Sequence, residues 1–388
     1  MSYKFVLVIY FCATLFAVWG RFAKKIHDDH YTDYNNYILF RESFNHLVKG
    51  QDLYSYHEPE YFDLYKYSPG FAVLMAPFTK LPDMPGLLIW DLLNMLPLFA
   101  GVYLLPGLKK KGKIFILWFV LVELLTNLQN SQSNGLVAGL LLCAFALLEK
   151  KNIALATLFI VLSAYIKIFG IAAVVLVLLY PDKIKFVLYT ILWTVVMTFI
   201  PLLFTSPELL MMQYKSWYHL LTHDHAVSYG VSVLGILHSW FHTDINKILV
   251  LLIGVLLTLS PLMLIKRYKD YDFRLAFFSS LLIWLVIFNH RGESPTYIIA
   301  VTGIAMWFFS GPKNLTDHIL MVAAFILTIL SATDLFPRSI RTDFIIPYSL
   351  KALPCVLIWI KINYDLLTGV RYEIVDVRYE TSETKNNK

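Results

Sequence analysis

Carboxylates, imidazoles and tyrosines crowd into one stretch of this 388-residue chain, residues 24–69, while most of the remainder is apolar. His27-Asp28-Asp29-His30 leads to Tyr31-Thr32-Asp33-Tyr34-Asn35-Asn36-Tyr37 and Gly50-Gln51-Asp52-Leu53-Tyr54, and the stretch closes with Tyr65-Lys66-Tyr67-Ser68-Pro69. Asp33, beside aromatic and amide side chains, is the kind of carboxylate that accepts a proton from a hydroxyl attacking a sugar carbon. Asp is also a preferred helix cap. Tyr37, Phe40, Phe44 and Leu47 recur at helical spacing after it and Gly50 follows as a stop, so Asp33 stands equally at the start of an amphipathic interfacial helix. Asp28 and Asp29 read as solvated loop charges.

Three further constellations lie outside that stretch. Lys167, in Ala164-Tyr165-Ile166-Lys167-Ile168-Phe169, has apolar neighbours on both sides. A cation so placed pairs with an anion, such as the phosphate of a lipid-linked donor, or snorkels to the headgroups. His290-Arg291-x-Glu293 sets a titratable ring, a fixed cation and a carboxylate between two apolar runs. Arg291 suits a phosphate oxygen and His290 a hydrogen bond or proton, and the bland alternative is a solvated connection. Gln132-x-Asn134 opens an apolar run with two amides, which either cap its helix or bind sugar hydroxyls. His219, His223 and His225 around Asp224 match no familiar zinc spacing and read as an interfacial loop. The chain carries no P-loop, dinucleotide fingerprint, nucleophile elbow or His-Glu-x-x-His, so nucleotide-driven pumping and hydrolase chemistry lack residue support.

The elements that position these residues follow from composition. With 58% hydrophobic and 15% charged residues, the chain reads as an integral membrane protein of the all-α class. Apolar runs are predicted to span at residues 4–22, 85–105, 114–127, 135–148, 184–204, 247–265, 273–288, 296–309, 316–331 and 345–361. Residues 153–180 are too long for one upright helix and are read as two short spans meeting at Lys167. This gives a polytopic bundle of about 12 spans, within a range of about 10–13. The short run Gly70–Phe78 lies on or dips into the membrane. The net charge of +6 is concentrated at Lys109–Lys113 and Lys266–Lys269, which read as cytoplasmic topology signals, not a nucleic-acid surface. Both termini then lie inside, with residues 24–69 and 205–242 as outer loops and the Gln132, Lys167 and His290 regions facing the same outer side. Cys12, Cys143 and Cys355 all sit in apolar runs and support neither a disulfide framework nor zinc.

The ordered set of motifs resembles glycosyltransferase family 87, GT-C-type membrane enzymes such as the mycobacterial polyprenyl-phosphomannose-dependent mannosyltransferases. The resemblance rests on Asp33 to Tyr37 after the first span, Lys49-Gly50 with Leu53-Tyr54, Tyr67 and Pro69 before an apolar run ending Leu81-Pro82, Gln132 and Asn134, and Lys167. It runs over about residues 1–180. It implies a single GT-C-like transmembrane domain over residues 1–362, with a polar cytoplasmic tail at 363–388. It further implies inverting, metal-independent transfer of a hexose, commonly mannose, from a polyprenyl-phosphate donor to a glycolipid or glycan acceptor on the outer face of a cell membrane, with no cofactor. In that scheme Asp33 is the base, Lys167, Arg291 and His290 hold the donor phosphate, and Tyr37, Tyr67, Gln132, Asn134 and Glu293 contact substrate. The lysine motif departs from the family pattern in continuing Ile168-Phe169-Gly170 without a proline, and His290 precedes Ser294-Pro295 where the family histidine follows such a pair. A transporter or flippase of a lipid-linked saccharide is the alternative, and it calls for charges distributed through the bundle.

Overall fold

The computed structural model describes residues 1–23, 31–223, 229–242, 246–290 and 292–369. Among these the regular structure is helical, with no strand, as the apolar runs require of a chain that must satisfy its backbone inside lipid. Contacts divide the chain into two compact units, Met1–Pro106 with Leu121–Val227 and Gly107–Val120 with Ser228–Lys388.

In the first unit, α1 (Tyr3–Ala23) and α4 (Asp83–Leu104) are each long and apolar enough to cross a membrane. They meet edge to face through Tyr10 and Phe99, ring centroids 5.5 Å apart. The opposite face of α1 exposes Phe5, Val8, Phe11, Leu15, Phe16 and Trp19, as a helix side that meets lipid does. Lipid tails are as apolar as leucine, so helices in a membrane associate through close backbone approach more than through burial. Here α6 (Asn134–Glu149) lies so close to α4 that a Cβ on Gly139 would sit 2.4 Å from the backbone of Pro97 and Leu98. Next come α7 (Ile153–Ile166) and α8 (Lys183–Phe199), tied together by Trp193 Nε1 donating to the Ala154 carbonyl at 2.9 Å.

The predicted meeting of two short pieces at Lys167 is present. The 14 residues of α7 reach only about 21 Å at 1.5 Å per residue, short of a hydrocarbon core of about 30 Å. Lys167 then takes an extended conformation and a 3₁₀ segment, Ile168–Leu179, continues the chain. Among the described residues five helices are individually long enough to span, against the about 12 spans expected, and breaks of this kind shorten others. Besides α1 and α4 the five are α5 (Lys110–Gln129), α8 with its 3₁₀ extension to Leu203, and α14 (Leu315–Ala323) with its π and 3₁₀ continuation to Ala332.

The first long loop is folded. Its helix α2 (Asn35–Val48) buries Tyr37, Phe40 and Leu47, and Phe40 meets Phe71 of the short α3 (Pro69–Leu74) at 5.6 Å and Trp90 of α4 at 5.2 Å. The second predicted loop, 205–242, contains α9 (Pro207–His223), which is tied to the first loop by polar side chains on one side. Gln213 of α9 is buried, accepting from Leu53 N at 3.0 Å and donating to the Gln51 carbonyl at 2.7 Å, and Ser216 donates to Asp52 at 2.9 Å.

The second unit comprises the first part of α5 and α10 (Val233–Phe241), α11 (Lys247–Leu259), α12 (Tyr271–Ile287), α13 (Tyr297–Phe309), α14, the short α15 (Arg338–Ile340) and α16 (Leu353–Thr368). The last helix runs past residue 363. Asn363 is buried inside α16, donating to Ser280 Oγ and the Trp359 carbonyl at 2.8 Å each, and Asp365 is bonded by Lys361 at 2.6 Å. Polar residues that looked like a tail are paired, so the helix continues to Thr368.

Replacing Gly139 by Ala drives a methyl into backbone that cannot rotate away. The expected outcome is a loss of about 1–3 kcal/mol, read as a lowered melting temperature of the detergent-solubilised protein, while Ala138→Gly on the same helix shows no comparable steric effect.

Candidate functional site

Asp33 does not cap α2. The helix starts two residues later, its cap position is taken by Tyr34, and no side chain caps it. Tyr34 is instead an anchor: its ring stacks on Phe22 of α1 at 4.8 Å and its hydroxyl donates to Asp83 at 2.8 Å. Asp83 also pairs with Arg41 of α2. The turn holding half-buried Asp33 is thereby pinned between the end of α1 and the start of α4. Arg21, on the last turn of α1, lies in the field of both Asp33 and Asp91 of α4. Tyr37 lies one turn along α2 with its ring buried and its hydroxyl against Gly86, where a Cβ would fall 1.9 Å from the oxygen. Burial pushes its phenol up to about 12, so it is neutral at ordinary pH and serves as a hydrogen-bonding wall.

The amides at the start of α6 do not cap it either. Asn127 Oδ1 accepts from Asn134 N at 3.1 Å and Asn94 Oδ1 accepts from Leu136 N at 2.9 Å, so caps from α5 and α4 satisfy these donors. Gln132 and Asn134 are left buried with side-chain atoms that find no hydrogen-bond partner among the described residues. That outcome removes the capping role and leaves the two amides available to bind.

Lys167 and Tyr67 are brought together, with the ammonium 5.8 Å from the ring centroid. The contact is set by the backbone. Ser68 Oγ caps α3 by accepting from Phe71 N at 3.1 Å and donates to the Tyr165 carbonyl at 2.7 Å, which fixes the Tyr67 segment beside the break at Lys167. Tyr54 donates to the Tyr67 carbonyl at 2.8 Å, and Tyr65 to that of Ser68 at 2.9 Å.

His290 and Glu293 belong to the second unit, and Arg291 lies outside the described residues, as do Asp28, Asp29, Asp224 and His225. His290 is half-buried and Glu293 exposed. Their loop is fastened by Val231 N donating to the Gly292 carbonyl at 2.9 Å and by Lys351, which donates to Ser294 Oγ at 2.8 Å with its ammonium 5.0 Å from the Tyr297 ring centroid. Lys351 is 4% exposed. His219 and His223 stack on one another along α9, at 4.1 Å. A groove of about 460 Å³ lined by Asp334, Phe336, Arg338 and Arg341 contains none of the residues singled out from the sequence.

Arg21, Asp91, Asn94, Asn127 and Lys351 were not anticipated. Asp91 and Lys351 carried the signal that marked Lys167, an ionisable side chain inside a run read as a span. The amides carried none, since their role is to reach another helix.

The profile of glycosyltransferase family 87 matches residues 65–288. The match takes in Tyr67, Gln132, Asn134 and Lys167 and excludes Asp33 and His290. No curated protein matches the chain.

Beside this site, His46 of α2 is 1% exposed, with Nε2 2.9 Å from Glu60 and its ring stacked on His57 at 3.8 Å. Burial, with the neighbouring His57, holds its pKa below the ordinary 6.5. Stability from the neutral ring is therefore present above that value and lost as pH falls below it, because the unfolded ring takes up the proton more readily. Amides of residues 46–61 should exchange faster at about pH 5 than at about pH 7 after correction for intrinsic rates, and His46→Gln should flatten that difference.

Proposed function

Since the chain belongs to glycosyltransferase family 87, we propose that it transfers a hexose, such as mannose, from a polyprenyl-phosphate donor to a hydroxyl of a glycolipid or glycan, with inversion, on the outer face of the membrane. The membership makes it a membrane glycosyltransferase, and the observation that carries the finer reading is Lys167. A half-buried cation, at a break between two apolar segments and over the Tyr67 ring, suits a phosphate that arrives on a lipid. A prenyl chain reaches such a point from the bilayer, which a free nucleotide sugar does not.

In this reading the acceptor oxygen attacks the anomeric carbon as its proton passes to the Asp33 carboxylate. The bond between that carbon and the phosphate oxygen breaks, and the electron pair leaves with the polyprenyl phosphate. One displacement inverts the centre. Lys167 offsets the charge on the departing phosphate, and Arg21 lies in the field of the Asp33 carboxylate. The turn that carries Asp33 is anchored through Tyr34 and Asp83, which fixes its backbone before substrate arrives.

Two variants test the assignment. Asp33→Asn should lower kcat by roughly 10²–10⁴-fold with donor affinity retained. Radiolabelled polyprenyl-phosphate-mannose and reconstituted protein give the measurement, and full activity removes Asp33 as the base. Lys167→Ala should weaken binding of polyprenyl phosphate by roughly 10- to 100-fold, the scale of one lost hydrogen bond to a charged group, and unchanged affinity removes Lys167 from the phosphate site.

A further inference from the structure

The junction of α4 with α6 holds a concentration of unanswered polar groups. Asp91 Oδ1 and Oδ2, Gln132 Oε1, Asn134 Oδ1 and Nδ2, and the hydroxyls of Ser131 and Ser133 are all buried, and none has a hydrogen-bond partner among the described residues. Asp91 and Asn134 are each 1% exposed and Gln132 is 8% exposed. Burying such groups unpaired is costly, and native proteins seldom tolerate it without a bound molecule to answer them.

The segments that carry these atoms are tied to one another. Trp90 Nε1, on the residue before Asp91, donates to the Ser131 carbonyl at 3.1 Å. Asn94, one helical turn beyond Asp91, caps α6 at Leu136. Asp91 therefore sits on the stretch of α4 that faces the 131–134 turn. Asn127 occupies the other side of that turn, donating to the Gln132 carbonyl at 3.4 Å. Arg21, at the end of α1, lies in the field of Asp91.

The chemistry of the lining selects its ligand. Four of the seven unpartnered atoms are carboxyl or amide oxygens, two are hydroxyls that both donate and accept, and one is an amide nitrogen, so the lining calls for a ligand that donates and accepts hydrogen bonds in several directions. A phosphate, which only accepts, leaves most of these oxygens unanswered. The hydroxyls of a pyranose donate in several directions at once, and each can also accept from the Asn134 amide. At the surface, Asn36 Nδ2 donates to the Asn130 carbonyl at 2.9 Å, an exposed bond that ties α2 to the same turn.

We propose that Asp91, Gln132 and Asn134 form the sugar-hydroxyl pocket of this protein, with Asp91 the residue that discriminates between hexose configurations. The pocket deepens the glycosyltransferase reading and rests on it for its biological ligand: the phosphate binds at Lys167, the sugar at the α4–α6 junction.

The test uses the full chain in nanodiscs and saturation-transfer NMR with methyl α-D-mannoside, α-D-glucoside and α-D-galactoside, none of which carries phosphate or lipid. The wild type should transfer saturation to one glycoside over the others. Asp91→Asn, nearly isosteric, should weaken that signal by about an order of magnitude, the scale of one buried hydrogen-bonding group left unsatisfied. Asn134→Ala should do likewise, and serves alone if the Asp91 variant fails to fold. No transfer in the wild type, or transfer unchanged in both folded variants, overturns the pocket. Polyprenyl phosphate affinity is measured in parallel. Retained lipid affinity in Asp91→Asn supports the division of roles, and equal loss of lipid and glycoside overturns it. A wild type that binds glycoside through Asp91 but ignores polyprenyl phosphate sinks the donor assignment and leaves the pocket standing.

Discussion

The close approach of α4 and α6 is the constraint on which the first unit depends. At Gly139 the two backbones come nearer than any side chain allows, and this proximity lets Asn94 reach across to the first peptide groups of α6. In water those N–H groups would be solvated. In an apolar surrounding each needs a protein partner, and Asn94 and Asn127 provide it. Because the caps come from neighbouring helices, the side chains of Gln132 and Asn134 have no structural duty to perform. One packing contact thus both joins the helices and frees the amides.

A second consequence concerns charge. Lys167, Asp91 and Arg21 all lie in or at the ends of segments that must sit against lipid, where an ionisable side chain is costly unless it is answered. Lys167 rests over an aromatic face, and Arg21 lies in the field of two carboxylates. Fixed groups of this kind change little when substrate arrives, which is the condition for electrostatic stabilisation to count in a transition state. The loop that precedes them is equally fixed: α2 is held to α4 through Asp83 and its following segment to α9 through Gln213.

The sequence by itself determined the class of the protein and most of its helices. Apolar runs of spanning length report their own solvent, and the periodicity of Tyr37, Phe40, Phe44 and Leu47 located α2 before Gly50. The chain break at Lys167 was legible because 28 apolar residues exceed one helix and a lysine marked the middle, and the motif order from Asp33 to Lys167 pointed to the family that the profile then matched.

What only the tertiary structure decided was which polar side chains are occupied. A cap, an anchor and an unpartnered ligand group look alike in one dimension. Asp33 and Asn134 both had the right type and place to cap a helix, yet Tyr34 and Ser133 hold those positions and amides from other helices make the bonds at α6. Asn363 seemed to begin a polar tail until Ser280 was found opposite it. Hydrogen bonds between helices depend on rotation and crossing distance, quantities that sequence spacing within one helix does not contain. For that reason the apolar pattern could place the elements and flag Asp91 as an ionisable group inside a span, while its setting came from α4, α6 and Arg21 around it.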